Sequence, residues 1–478
     1  MRRIPEEQVR SRMRADNPWW DGGGIRSDYE AMKRRAYFER FRHLVEQTDV
    51  RRAVVLMGPR RVGKTVLLHH VIAHLLDGGR YERPDIAYVS LDQPLYTRLS
   101  IEELARELRG ASGAGRVPRL LFLDEIQYLR DWERHLKVFV DGHPDIRCVA
   151  SGSAAAALRL KSIESGAGRF TDFLLPPLTF YEYLDLLNET DLVEETPGGG
   201  DRVARGRITD LNRHFLDYIN FGGYPEAALS DTVRDDPQRY IGADIIDKVL
   251  LRDLPSLYGI QDVQELNDLF TTLAFNTAGE MSPEALAQNS GVTKPTLKRY
   301  LEYLEAAFLI KVVHRIDRNA RRFKRASHFK VYVTTPALRA ALVGPVTADD
   351  PAMGALAETA VFAQWFHSDV DLHYARWAKG EVAIVYLGGM LTPQWCIDVK
   401  WSDRPGRNPE ELRSLATFAN RHPKAKVGIT TRTVARSLPH WPGPGSLRAE
   451  PTSLYCYIVG RNLIRSGARL AVDGGTRR

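Results

Sequence analysis

A chain of 478 residues exceeds one ordinary domain and predicts roughly two to four. Its composition, 44% hydrophobic and 27% charged, excludes a disordered or fibrous protein, and the formal net charge of +7 by itself says little about a nucleic-acid partner. The three cysteines, Cys148, Cys396 and Cys456, are far apart and indicate neither a disulfide framework nor a zinc site.

The sequence contains no apolar run approaching the roughly 18 residues that cross a bilayer. Its first residues, MRRIPEEQVRSRMR, lack the apolar core of a signal peptide. We therefore predict a cytoplasmic protein with no membrane partner.

Residues 1–50 read as an N-terminal adaptor segment, which contains NPWW at 17–20 and a helical run with Tyr37, Phe41 and Leu44 on one face. From 53 to 153, apolar strand-like runs alternate with helical ones. This alternation predicts an α/β core with a parallel sheet between helices. We place the core at 51–207, because the glycines and charges of ETPGGGDRVARGR predict a flexible loop at its end.

Residues 58–65 read GPRRVGKT and match G-x-x-x-x-G-K-[ST] between an apolar strand and a helix. Glycines let backbone N–H groups turn toward a phosphate, and the helix N-terminus adds partial positive charge. We expect Lys64 to reach the β- and γ-phosphates of ATP and Thr65 to ligate Mg²⁺. The predicted phosphate-binding residues are Gly58, Pro59, Arg60, Arg61, Val62, Gly63, Lys64, Thr65 and Val66.

A second strand, in RLLFLDEIQ (119–127), ends at two acids. Asp124 is expected to hold Mg²⁺ through water, and Glu125 is expected to polarise the attacking water. An acid pair at this position favours ATP hydrolysis over phosphoryl transfer to a metabolite.

Two further candidates follow along the chain. The strand in IRCVASGS ends at Ser151 and Ser153, which we predict to sense the γ-phosphate. Arg169 is a candidate catalytic arginine finger, acting in cis or, in an oligomer, on a neighbouring subunit. The alternative for Arg169 is an ordinary surface charge.

These motifs, with FGGYPE (221–226) and the C-terminal pattern below, resemble prokaryotic ATPases that join an AAA-type domain to a C-terminal DUF4143 domain. The resemblance extends over nearly the whole chain. It implies a P-loop AAA-type parallel-sheet ATPase core, a helical and winged-helix domain at 208–342 and a nuclease-like α/β domain at 352–478, with ATP and Mg²⁺ as cofactors.

Residues 281–310 have helix-turn-helix spacing with Gly291 in the turn, and a strand pair is expected near LIKVV and KVYVT. A basic hairpin joins these strands. DNA or RNA contact and a plain lid or subunit contact both remain open for this region. The candidate nucleic-acid contacts are Lys294, Lys298, Arg299, Arg321, Arg322, Lys324 and Arg325.

The C-terminal domain resembles the PD-(D/E)xK nuclease fold at Glu358 in a helix, Glu381 in a strand, and Asp398 and Lys400 in QWCIDVKW. In such nucleases the acids hold magnesium and the lysine steadies the attacking water or the charged phosphorane. This chain has Ala383 where the family often has an aspartate. We therefore expect a degenerate, non-cleaving site, with an active nuclease as the alternative.

Together the sequence predicts an ATP-hydrolysing enzyme whose nucleotide cycle moves or gates the winged-helix and nuclease-like domains. The predicted partner is DNA, RNA or another protein. Two alternatives are a slow, ATP-switched regulatory binding protein and a Mg²⁺-dependent nuclease effector.

Overall fold

A computed structural model describes residues 5–96, 99–152, 168–322, 328–368 and 370–466. The chain divides into two compact units, Met1–Pro176 and Pro177–Arg478. This division falls before residue 207, where the sequence placed the end of the core. The helix Phe180–Leu186 packs against the helix Thr452–Ser466, and this contact makes it part of the second unit.

The first unit is built on a five-stranded parallel sheet. Its strands are β1 (Ala53–Met57), β2 (Ile86–Ser90), β3 (Leu120–Asp124), β4 (Arg147–Gly152) and β5 (Phe170–Leu174). The strand order is β2-β3-β4-β1-β5. Every residue of β1, β3 and β4 is buried, as expected for strands covered on both faces by helices. The predicted parallel α/β core is confirmed.

Helices cover this sheet, and one of them, Ile101–Ala111, begins with a side-chain cap. Ser100 accepts a hydrogen bond from the backbone N–H of Glu103, whose carboxylate accepts from the N–H of Ser100, so a capping box begins the fifth helix. The α-helices are Glu6–Asp16, Ser27–Ala31, Phe38–Glu46, Lys64–Asp77, Ile101–Ala111 and Trp132–Gly142.

The N-terminal segment covers the edge of the sheet at β2. The side chain of Asn17 accepts from the N–H of Tyr88 at 2.6 Å and donates to its carbonyl at 2.9 Å. The indoles of Trp19 and Trp20 both donate to the carbonyl of Ile86. NPWW thus satisfies backbone groups that an edge strand leaves open. The segment predicted as an N-terminal adaptor lies within the first compact unit.

The second unit is rich in helices. Its α-helices are Phe180–Leu186, Ile208–Phe221, Pro225–Leu229, Asp231–Asp235, Leu254–Tyr258, Val263–Phe275, Pro283–Ser290, Lys294–Ala306, Ala337–Val343, Met353–Gln364, Arg404–Arg407, Arg413–Arg421 and Thr452–Ser466. Gln238–Asp253 is wound as a π-helix. Among the described residues, no helix combines the length and apolar character that crossing a bilayer requires.

The strands of the second unit form a short hairpin and one large sheet. The hairpin consists of β6 (Val193–Glu195) and β7 (Asp201–Val203). The large sheet contains β8 (Glu280–Met281), β9 (Ile310–Ile316), β10 (Phe329–Val333), β11 (Leu372–Trp377), β12 (Gly380–Leu387), β13 (Pro393–Asp398), β14 (Lys426–Thr431), β15 (Arg436–Leu438) and β16 (Leu447–Pro451). Its order is β15-β16-β14-β13-β12-β11-β9-β10-β8.

This sheet joins two regions that the sequence divided at 343–351. β9 pairs in parallel with β11, placing Arg315 opposite Tyr374. The middle and C-terminal regions therefore share one sheet within one compact unit, because long-range strand pairing is invisible to local sequence patterns.

The glycine-rich stretch that the sequence predicted as a flexible loop forms part of the β6–β7 hairpin. The guanidinium of Arg461 donates to both carboxylate oxygens of Asp201, at 2.9 and 2.5 Å. This bidentate ion pair fixes the hairpin to the last helix of the unit.

The helix-turn-helix elements lie where the sequence placed them. The helices Pro283–Ser290 and Lys294–Ala306 flank Gly291, whose φ of 72° is in the left-handed region that favours glycine. β9 and β10 follow as an antiparallel pair. Assignment of these elements to the winged-helix class stays a prediction.

Candidate nucleotide site

The loop between β1 and the helix Lys64–Asp77 depends on two glycines. Gly63 has a φ of 91° directly before the first helical residue. A Cβ on Gly58 would lie 2.2 Å from the carbonyl oxygen of Leu175, so a larger residue does not fit without a shift of the backbone. The loop is therefore held tightly against the end of β5.

The ammonium group of Lys64 lies inside this loop. Its Nζ donates to the carbonyl oxygens of Gly58 at 3.0 Å and Pro59 at 2.7 Å, and the residue is buried. The N-terminus of the helix adds partial positive charge at the same place. A buried cation in a glycine loop at a helix N-terminus fits a phosphate group.

The other predicted loop residues differ in exposure. Pro59 and Val62 are buried, and Arg60 and Val66 are half-buried. Arg61 is exposed and has a φ of 61°. The side chains of this loop therefore face different environments, although its backbone forms a single turn.

Arg35 supports the loop and was not predicted. Its guanidinium donates to the carbonyl of Val62 at 2.5 Å and to that of Pro176 at 3.0 Å, and the residue is buried. Burying a guanidinium is costly unless it is hydrogen-bonded, so these acceptors define its position. In the sequence Arg35 is the last residue of KRR (33–35) and carries no motif that separates it from a surface arginine.

Asp124 is the centre of a polar network at the end of β3, where it is buried. Its Oδ2 accepts from the hydroxyls of Thr65 and Tyr88, each at 2.8 Å. Its Oδ1 accepts from the hydroxyl of Ser151 and, at 3.1 Å, from the backbone N–H of Glu125. The structure thus brings Thr65, Asp124 and Ser151 together, whereas Ser153 lies outside the described residues.

Two buried side chains near this network are held neutral. Burial, reinforced by Asp124, raises the pKa of Tyr88, so its phenol acts as a neutral hydrogen-bond donor. Burial lowers the pKa of His69, whose Nδ1 lies 2.9 Å from the carbonyl oxygen of Thr65. Tyr88 was missed because strand β2 carries no recognised motif.

Glu125 follows the strand in an unusual backbone conformation, with a φ of 55°. Its carboxylate accepts a hydrogen bond from the side-chain amide of Gln127. Gln127 belongs to the stretch LDEIQ but was not predicted as a site residue. Its signal in the sequence is an amide two positions after the acid.

The oxygen donors of this network fit Mg²⁺. Hard cations prefer carboxylate and hydroxyl oxygens, as Asp124 and Thr65 supply here. In the part of the chain that the structure describes, no cluster of three or more His, Cys, Asp or Glu side chains forms an all-protein metal site. One carboxylate and one hydroxyl match an ion held jointly by the protein and by phosphate oxygens.

Arg169 does not join this site. Its carbonyl accepts from the N–H of Ala53 at the start of β1, while the P-loop follows the end of that strand, roughly 13 Å away at the usual rise per residue. Its guanidinium forms an exposed ion pair with Asp141. The expected cis role therefore does not fit the structure, and a role on a neighbouring subunit stays a prediction.

The basic residues predicted to contact nucleic acid are largely paired with acids. Lys294 lies 2.8 Å from Glu284, Lys298 lies 3.9 Å from Glu302, and Arg322 lies 2.9 Å from Asp371. Arg299 and Arg321 are exposed. Lys324 and Arg325 lie outside the described residues.

The four residues of the predicted nuclease-like site lie in one neighbourhood, together with Lys330. The ammonium of Lys330 lies 2.9 Å from Glu358 and 2.6 Å from Glu381. Lys400 pairs with Asp398 at 3.2 Å, and both interact electrostatically with the two glutamates. Lys330, from β10, was not predicted.

The charges in this cluster shift its pKa values. Burial alone would lower the pKa of Lys330, but Glu358 and Glu381 outweigh burial and raise it. Burial raises the pKa of Asp398, although Lys400 opposes this shift. The Lys330 side chain is only 3% exposed, and its raised pKa favours the charged ammonium between the two carboxylates.

A family model matches most of the first unit. Residues 50–184 match the family model of an AAA domain, AAA_14. This segment is an AAA-type P-loop domain. A second model, a domain of unknown function named DUF8612, matches residues 212–349. It differs from the DUF4143 domain indicated by the sequence, and the DUF4143 assignment stays a prediction.

Two relatives come from Methanocaldococcus jannaschii. The uncharacterized protein MJ1544 is 25% identical over 284 residues, which are 58% of this chain and 59% of that protein. The uncharacterized protein MJ1637 is 24% identical over 331 residues, 65% of this chain and 68% of that protein. The match thus spans less than two thirds of the length of MJ1544.

Solved structures with similarity to the chain include AMPPCP-bound DnaA from Aquifex aeolicus, at 16% identity and a TM-score of 0.27, covering 56% of this chain and 86% of that one. The Hsp104–ADP complex of S. cerevisiae is 15% identical with a TM-score of 0.30, covering 58% of this chain and 39% of that one.

Proposed function

We propose that the chain hydrolyses ATP to ADP and phosphate at the P-loop of its AAA-type domain. The observation that carries this proposal is the convergence of Thr65 and Ser151 on buried Asp124, with Glu125 next along the chain. A loop that only bound nucleotide would not need an acid beside the Asp124 network.

Different residues of the chain bind the phosphates and the metal ion. The backbone N–H groups of residues 60–63 and the Lys64 ammonium bind the phosphates, and Lys64 exchanges its carbonyl partners for phosphate oxygens. Thr65 and Asp124 would hold Mg²⁺, which would neutralise charge on the phosphate oxygens. Tyr88 keeps the Asp124 carboxylate oriented.

Glu125 is the proposed general base. Its carboxylate takes a proton from water as the water oxygen bonds to the γ-phosphorus and the bond to the bridging oxygen of ADP breaks. Gln127 positions this carboxylate through its amide. Ser151, on the neighbouring strand, and Ser153 are proposed to sense the γ-phosphate.

We propose that the nucleotide cycle moves or gates the second unit and acts on nucleic acid or a protein partner. A slow ATP-switched binding protein is the alternative. The test is the ATPase rate of the full chain with and without DNA or RNA, beside Lys64→Ala. Strong stimulation of the rate by DNA or RNA supports action on nucleic acid, and an unchanged rate rules that action out. Hydrolysis by Lys64→Ala at the wild-type rate would refute the assignment of the ATPase site.

The C-terminal cluster is proposed as a non-cleaving scaffold. The supporting observation is Lys330, whose ammonium bridges the two glutamates of this cluster. A fixed positive charge there competes directly with Mg²⁺. Incubation of the full chain with DNA and Mg²⁺ tests this: we expect no cleavage, and cleavage that Lys400→Ala abolishes would establish a nuclease instead.

A further inference from the structure

Several arginines lie at the end of the first sheet that is opposite the P-loop. Arg52 precedes β1, Arg119 precedes β3, Arg147 begins β4 and Arg169 precedes β5. Because the strands are parallel, all of them begin at one end of the sheet, and the P-loop and Asp124 lie at the opposite end, where the strands finish. These arginines therefore take no part in the ATP site.

A pocket of about 410 Å³ opens at this end of the sheet. Its walls include five arginines and one tyrosine: Arg51, Arg52, Arg80, Tyr81, Arg119 and Arg147. Asp145 is the acidic residue that lines it. The pocket therefore carries a clear excess of positive charge.

Arg147 differs from the other arginines of the pocket because it is buried and hydrogen-bonded to the backbone. Its guanidinium donates to the carbonyls of Leu44, Val45, Val50 and Arg52, at distances between 2.5 and 3.3 Å. Burial lowers its pKa. Arg147 thus fastens the end of the helix Phe38–Glu46 to the sheet and shapes one wall.

The remaining arginines are exposed and available for binding. The guanidinium carbons of Arg80 and Arg119 each lie 5.5 Å from the centre of the Tyr81 ring, within the range of a cation–π contact that holds both side chains beside the pocket. Among the described residues, no ion pair to an acid forms at Arg51, Arg52, Arg80 or Arg119. This contrasts with the helix-turn-helix region, where Lys294, Lys298 and Arg322 are paired.

We propose that this pocket binds the phosphate of a nucleotide unit in single-stranded nucleic acid. The planar fork of an arginine matches phosphate oxygens in a bidentate manner, and four unpaired guanidinium groups around a pocket of this size suit one nucleotide with its phosphate. The choice of nucleic acid as the partner rests on the proposed function; the excess of positive charge in the pocket does not.

The test is binding of a fluorescein-labelled ten-residue oligothymidylate to the full chain, followed by anisotropy. Arg80→Gln combined with Arg119→Gln should weaken binding about tenfold or more and reduce the slope of log K against log salt by roughly 0.7, the value for one lost phosphate contact on a single strand. Arg130→Gln, an arginine that is 97% exposed outside the pocket, is the matched control and should change neither quantity.

A second double variant controls for misfolding, because Arg80 and Arg119 both contact the ring of buried Tyr81. Arg51→Gln with Arg52→Gln removes two exposed charges of the same pocket and should also weaken binding. Basal ATPase should stay at the wild-type rate in both double variants, so failure of this proposal is separate from failure of the ATPase assignment. Unchanged affinity and salt slope in both would overturn it.

A free nucleotide carries the same phosphate chemistry and is distinguished by a second arm. In the Lys64→Ala background, AMP binding is measured with and without the Arg80 and Arg119 substitutions. AMP binding that depends on these arginines, together with no oligothymidylate binding, would overturn the choice of nucleic acid and assign the pocket to a free nucleotide.

Discussion

The hydroxyl of Thr65 donates a 2.8 Å hydrogen bond to Oδ2 of Asp124, a carboxylate 59 positions further along the chain. Tyr88 donates to the same oxygen at 2.8 Å. Three separate segments, the P-loop helix, β2 and β3, therefore meet at one buried carboxylate. This arrangement depends on parallel strands that end at one edge of the sheet.

Tyr88→Phe tests the contribution of that network. Removing one of two donors to Asp124 Oδ2 should lower the free energy of unfolding by about 1 kcal/mol and reduce ATP turnover. Denaturant unfolding and an ATPase assay measure the two effects. Tyr128→Phe, at a half-buried tyrosine of the same unit, is the control, and equal effects in both variants would contradict a specific role for Tyr88.

Glu125→Gln should separate ATP binding from hydrolysis. The amide cannot accept a proton from water, so kcat should fall by about 100-fold or more while ATP affinity stays within a small factor of the wild type. Single-turnover hydrolysis and nucleotide binding by calorimetry measure both. Asp131→Asn, an exposed acid in the loop after β3, should leave both unchanged. Normal turnover in Glu125→Gln would refute the catalytic assignment.

Arg35→Gln tests the support of the P-loop. The shorter neutral side chain cannot hold the carbonyls of both Val62 and Pro176, so the apparent KM for ATP should rise and stability should fall by about 2 kcal/mol. Arg34→Gln, at the exposed neighbouring position, is the matched control. The idea fails if Arg35→Gln binds ATP as tightly as Arg34→Gln does.

Arg169→Ala should have little effect on ATPase activity in a single chain. Its ion pair with Asp141 is exposed at both partners and lies at the edge of the sheet opposite the P-loop, so kcat should change by less than about twofold. Steady-state ATPase assays at low and high protein concentration measure this. A large, concentration-dependent loss would show that Arg169 acts on a neighbouring subunit.

Lys330→Met should destabilise the second unit. It leaves Glu358 and Glu381 facing each other without their shared cation, a loss of about 3 kcal/mol or more. Lys379→Met, at an exposed lysine between β11 and β12, is the control and should be near neutral. Chemical unfolding measures both, and equal stability of the two variants would contradict the bridging role.

The stability that Lys330 contributes should also depend on pH. A lysine whose folded pKa is raised stabilises the fold below its unfolded pKa of about 10.4, and this contribution is lost as pH rises through the folded pKa. The stability difference between wild type and Lys330→Met should therefore be constant at lower pH and shrink above about pH 10. A stability difference that grows above about pH 10 would mean that the charged ammonium of Lys330 destabilises the fold, which would contradict the bridging role.

The P-loop and the strand that ends at Asp124 were predictable because their signals are local. Glycines at 58 and 63, the lysine after them and an apolar strand before an acid pair each identify an element within a few residues. Tyr88 was not found, because it lies 36 positions from Asp124 and only strand pairing brings the two together.

The alternation of strands and helices, the phosphate loop and the two helices around Gly291 follow from local sequence, since each depends on periodicity or backbone preference within a short segment. Which distant groups meet depends on the fold: Arg35 contacts the P-loop, Lys330 lies between two glutamates, and Arg169 lies away from the ATP site. Strand order and register place these groups, and both arise from long-range pairing that no local pattern encodes.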